Sequence, residues 1–167
     1  MSTVTPDNPN ELRDELLGQL RYLVDEIELL KDVVQRIPAN LQEGRPLEDD
    51  LSIKEIYGLL AMMDEHIHLP FVRALGQEEA PEIKISRDDV VGKKAWNEQP
   101  IEEILNEVQQ VRTTLIEAME DEPDWQKTGR VHEQEMDLFK LAHFITQHDV
   151  DRLREMGYRL HESHSAG

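Results

Sequence analysis

The chain has no cysteine, so disulfides, thiolate ligands and thiol nucleophiles are all excluded. Aromatic residues make up only 5% of it, and nowhere do they interleave with a basic cluster as they do in chains that bind nucleic acid. No apolar run reaches the ~18 residues that a membrane-spanning helix needs. The first residues, MSTVTPDNPNELRDE, lack the basic start and apolar run of a signal peptide, so a cytoplasmic protein is expected. Dinucleotide-binding, P-loop, HExxH and GxSxG patterns are missing too. Positive charge is scarce. Eighteen Lys and Arg face 36 Asp and Glu, a net charge of -18, and such a field repels phosphate backbones. The acid excess is spread along every segment instead of forming a tail. It suits a salty cytoplasm, where repulsion among surface carboxylates is screened.

What is present is helical pattern. At 167 residues the chain is the size of one domain, with an ordered core expected over about residues 10–157. Asn8 and Pro9 open a first helix as cap and first helical residue. Leu12, Leu16, Leu20, Leu23, Ile27, Leu30, Val34 and Ile37 then recur at steps of three and four. Pro38 closes it. Ser52 and Glu55 form a capping box for a second helix striped by Ile53, Ile56, Leu60, Met63 and Ile67, with a kink or break expected at Pro70. Residues 76–99 show no sustained period and read as a long loop, with a short strand conceivable at Glu82 to Ser86. Its Ile83, Ile85, Val90, Val91 and Trp96 imply packing on the body. Pro100 opens a third helix, and a fourth starts near Glu133 to Asp137 and runs to about Met156, where Gly157 is a stop signal. The fold class expected is an all-α, up-down-type four-helix bundle with a long loop between helices 2 and 3.

One stripe of the fourth helix draws the eye. Leu138, Leu141, Ile145, His148, Arg152 and Met156 follow one another at steps of three and four, so an imidazole and a guanidinium interrupt an apolar seam. A cation there must reach the bundle's end or meet a carboxylate. Either a satisfied structural pair or a ligand pocket answers that requirement. The remaining histidines read more simply. His66 and His68, two apart beside Pro70, would share an ion only if the helix unwinds, and surface positions are expected for both. His143 is poorly spaced from His148 for helical chelation, His132 suits a loop role, and His161 and His164 lie in the tail.

Three segments resemble the DinB-like (DinB/YfiT-like) superfamily of four-helix bundles. LSIKEIYGLLAMMD, Leu51 to Asp64, is similar to the family's S-x-x-E-[IV]-x-x-H-L-x-x-x-[DE]. Trp125 to Gly129 followed by His132 is similar to W-x-x-x-G-x-x-H, and HDVDRL, from His148, is similar to H-D-x-[DH]-H-L. The resemblance implies a fold, and for many members a divalent ion held by one histidine of helix 2 and an H-x-x-x-H pair of the last helix. Those positions fall here on Leu59, His148 and Arg152. Only His148 is a donor, since leucine has no lone pair and a guanidinium repels a cation.

The expectation is therefore a bundle with a degenerate site, without catalysis or with a small-ligand pocket near Leu59, Asp64, His148 and Arg152. Asp64 would pair with Arg152 or His148. No cofactor is expected. The alternative is a metal-dependent enzyme of hydrolase or thiol transferase type, holding zinc or nickel through His148 in a rearranged ligand set. No nucleic acid or membrane partner is expected, and a homodimer is compatible with the architecture.

Overall fold

In the computed structural model, residues 8–47, 50–75, 86–93, 95–131 and 134–166 are described, with side chains of the last helix described to residue 159. Helix α1 spans Pro9–Gln35, and the Asn8 side chain accepts a hydrogen bond from the backbone N–H of Asn10 at 2.9 Å. The connection after Pro38 contains a short helix, α2, Ala39–Glu43. Its buried Gln42 explains it. The amide donates to the carbonyls of Val34 and Ile37 at 3.1 and 2.8 Å, satisfying groups that the end of α1 leaves open.

Helix α3, Ile53–Met63, starts with the capping box in full: Ser52 Oγ accepts from Glu55 N–H, and the Glu55 carboxylate accepts from Ser52 N–H. The break expected at Pro70 is a change of winding. Residues Asp64–His68 form a π-helical turn, closed by the Leu69 N–H donating to the Asp64 carbonyl, and α4, Leu69–Arg73, continues from it. Pro70 has no N–H to give to His66, so local widening costs little in lost backbone bonding.

The strand considered at residues 82–86 lies outside the described residues except for Ser86. The described end of the long loop holds helix α5, Arg87–Lys93, and a single 3₁₀ turn, Trp96–Glu98. Val90 and Trp96 are buried, so this part does pack on the body. The Trp96 ring lies so close to Gly58 that a Cβ there would stand 2.3 Å from it. Helix α6 is Ile101–Asp121. A small antiparallel hairpin follows, β1 Gly129–Val131 and β2 Gln134–Met136, pairing Gly129 with Met136 and Val131 with Gln134. Helix α7, Leu138–Ala166, runs straight past Gly157. A glycine on an exposed helical face costs only about 1 kcal/mol and does not by itself end a helix.

The long helices make an all-α bundle. Helix α1 packs on α6 and α7, and α3 packs on the same two, which sets α1 and α3 at opposite corners. One apolar cluster, around Leu20, Leu115, Leu141 and Trp125, fills one end. A second, around Ile27, Ile56, Leu105 and Trp96, fills the other.

Candidate functional site

Between these two apolar clusters lies a buried polar layer. Arg112 of α6 is 1% exposed and sits on the core face of its helix, one turn after Val108. Its Nε donates to Asp64 Oδ2 at 2.7 Å, and its two terminal nitrogens donate to the oxygens of Asp149 at 2.6 and 2.9 Å. A fourth bond, 3.3 Å, runs to the Leu20 carbonyl of α1. One guanidinium thus ties together α1, the π turn, α6 and α7. Asp64 also receives His68: Nδ1 lies 2.7 Å from Asp64 Oδ1. The His68 ring is buried, and its Nε2 has no hydrogen-bond partner among the described residues.

One fixed cation between two carboxylates sets their protonation. Burial drives the Asp64 carboxyl upward, but Arg112 and His68 outweigh it and hold the group below the usual carboxylate range. Burial likewise raises Asp149, and here the hydrogen bonds and charge of Arg112 offset it only in part, with the charge on Asp64 adding to the rise. Arg112 loses some basicity to burial and regains more from its two partners, so it stays charged.

The residues singled out in the sequence do not form one cluster. Leu59 is buried in the same apolar group as Leu153 and Met156 of α7. Asp64 pairs with Arg112 and His68, which corrects the pairing with Arg152 or His148 read from the sequence. Arg152 is half-buried and donates to Glu155 at 3.0 Å, a neighbour on its own helix. His148 is half-buried, with its ring centroid 4.4 Å from that of Phe144. Burial, followed by the positive charges of Arg152 and His68, holds its pKa below the usual histidine value. His66 is half-exposed, as a surface position implies, but His68 is buried, against expectation. The π turn carries it inward. His143 is exposed, His132 lies outside the described residues, and so do the side chains of His161 and His164.

Three members of the polar layer, Arg112, Asp149 and His68, escape a reading of sequence alone. Arg112 did carry a signal, a lone cation among Leu105, Val108 and Leu115. Among the described residues, two clefts border α7. One, about 590 Å³, lies on its outer side and is lined by Met136, Phe139 and Phe144 together with His148. The other, about 570 Å³, lies between α1 and α7 and exposes an edge of Asp149 beside Gln19 and Tyr22.

A divalent ion in the position implied by the family resemblance would need donors from Leu59, His148 and Arg152, and two of these three cannot supply one. Among the described residues no three His, Asp or Glu side chains come together as a set able to hold a metal. The donor set does not fit the three-nitrogen site.

Helix order and the long final helix make up an all-α four-helix bundle, with a short hairpin leading into the final helix. No family model matches the sequence, and no curated protein does. Among solved structures, the chain is similar to YfiT from Bacillus subtilis, described as a probable metal-dependent hydrolase with an unusual four-helix bundle topology. The TM-score is 0.65 over 93% of this chain and 94% of that one, at 13% identity. That likeness is one of fold.

Proposed function

We propose that this protein is a DinB-like bundle that has lost the three-histidine metal site and acts without catalysis, as a binder of a small ligand. The observation that carries this reading is Leu59, a side chain with no donor atom, buried in the apolar cluster that also takes in Leu153 and Met156 of α7. Arg152 adds a fixed positive charge on the same stretch, and Arg112 already occupies the buried carboxylates that would otherwise attract a cation. The polar layer is then structural, and ligand chemistry belongs to the clefts beside it.

A second reading has one specific support. Asp64 fixes the His68 ring through Nδ1 and leaves Nε2 open, the arrangement by which carboxylates orient metal-ligating imidazoles. With His148 it would make a two-imidazole site for a metal-dependent enzyme, the class suggested by the description of YfiT. Metal analysis decides between the two. After exposure to zinc or nickel and desalting, the protein is expected to retain far less than one ion per chain, with no change in His148→Ala. Stoichiometric metal that is lost in His148→Ala or His68→Phe would overturn the first reading in favour of the second.

A further inference from the structure

The cleft on the outer side of α7 combines an apolar floor with a polar rim. Its floor is apolar, built by Met136 at the end of β2 and by Phe139 and Phe144 on α7. Its polar rim holds one ammonium, Lys140, and the hydrogen-bonding groups of His143, Gln147 and His148, against a single carboxylate, Asp151. In a chain with twice as many acidic as basic residues, a rim where one ammonium and two imidazoles meet one carboxylate escapes the overall acid excess. A volume of about 590 Å³ falls in the range of small-molecule sites, ~300–1,000 Å³, which pair apolar walls with a few placed polar groups.

His148 joins the two parts. Its ring packs against Phe144 at 4.4 Å, so the polar edge and the aromatic floor are contiguous. A neutral apolar ligand would leave the Lys140 ammonium and the imidazole donors unused, and a cation would leave Lys140 without a counter-charge from the ligand. An inorganic anion would leave the aromatic floor exposed to water.

We propose that this cleft binds a small carboxylate with an aromatic or aliphatic body, the body lying on Phe139 and Phe144 and the carboxylate facing Lys140 and His148. The inference rests on the ligand-binding reading above and names its ligand class.

The test uses metal-free full-length protein with three probes: 4-phenylbutyrate, its uncharged amide and inorganic phosphate. Binding is read by calorimetry and by the ring resonances of Phe144 and His148. Saturable binding of 4-phenylbutyrate is expected to move both rings. The Lys140→Gln variant, at an exposed position that leaves folding intact, is expected to weaken it about threefold, as befits a partly solvated charge pair. Replacing the carboxylate by the uncharged amide should weaken binding by at least as much, and Phe144→Ala should abolish saturation. Equal affinity for acid and amide would overturn the proposal, as would phosphate binding as tightly as 4-phenylbutyrate, or no probe binding at all. Metal retained through His148 with probe binding intact would overturn the proposed function and leave the cleft standing. Failure of the probes on protein that retains no metal would overturn the cleft alone.

Discussion

Arg112 and Asp149 face each other across the bundle interior in a two-pronged pair, with the terminal nitrogens of one meeting both oxygens of the other at 2.6 and 2.9 Å. Asp64 takes the remaining edge of the same guanidinium. Removing the cation alone leaves two buried carboxylates uncompensated. Arg112→Met is expected to cost about 3–5 kcal/mol of unfolding free energy, measured by urea titration. Replacing all three groups together, by Asp64→Leu, Arg112→Met and Asp149→Leu, should recover most of that loss, because burying ions carries its own desolvation penalty. A single substitution costing under about 1 kcal/mol would mean that water reaches the layer.

The two carboxylates respond to pH in opposite senses. Asp149, raised mainly by burial, favours the folded state most when protonated. That contribution is complete below its unfolded pKa of about 3.9 and is lost as pH rises through its folded value. Asp64 is lowered, so its contribution is present above the unfolded value and is lost only as pH falls through the folded one. Between about pH 7 and about pH 4 the Asp149 effect therefore acts first, and the wild type should gain stability relative to Asp149→Asn as pH falls. A stability difference that stays flat across that interval would show Asp149 ionised throughout, held by Arg112.

Gly58 and Trp96 make a tighter fit than any glycine in the described residues. A Cβ at 58 would approach three ring atoms at 2.3 to 2.6 Å, and Trp96 is 1% exposed, so the ring has no free side to move toward. Gly58→Ala should destabilise the protein by about 1–3 kcal/mol, the usual penalty for overpacking. It should also alter the near-ultraviolet circular dichroism of the tryptophans. Adding Trp96→Phe should return part of the loss; additive effects of the two substitutions would dissociate them.

Charge offers a test of a different kind. A net charge of -18 on one small domain implies mutual repulsion that salt relieves. The melting temperature is expected to rise between dilute buffer and molar potassium chloride, with most of the gain coming in the lower part of that range. Equal melting temperatures at the two extremes would remove the case for salt adaptation.

Signals that act over three or four residues were legible in the sequence. Asn8 with Pro9, and Ser52 with Glu55, do their work through contacts inside one helical turn, and both helices begin where these residues place them. The stripe on α7 was legible only to within one residue. A period of 3.6 permits the step after Ile145 to be three or four, and packing selects Asp149, buried, over His148, half-buried. That choice depends on Arg112, which lies 37 residues earlier on another helix. Gly157 misled for a related reason, since glycine ends a helix only when the chain needs a left-handed residue there. The inward turn of His68 depends on a winding change with no local motif beyond Pro70.

That winding change also sets a rule for insertions and deletions. A π turn holds one residue more than the α-helical path between the same ends, and each helical residue advances the chain by about 100°. Deleting a residue from Asp64–His68 would let the segment wind as ordinary α-helix, with Phe71 and Val72 keeping their inward phase while the Asp64–His68 pair was lost. Deleting one from the stretch just after it would rotate Phe71 away from Gly129, which its ring now covers. Two deletions only a few residues apart would therefore differ in kind: the first would edit the polar layer and spare the fold, and the second would unseat the hairpin that leads into the final helix.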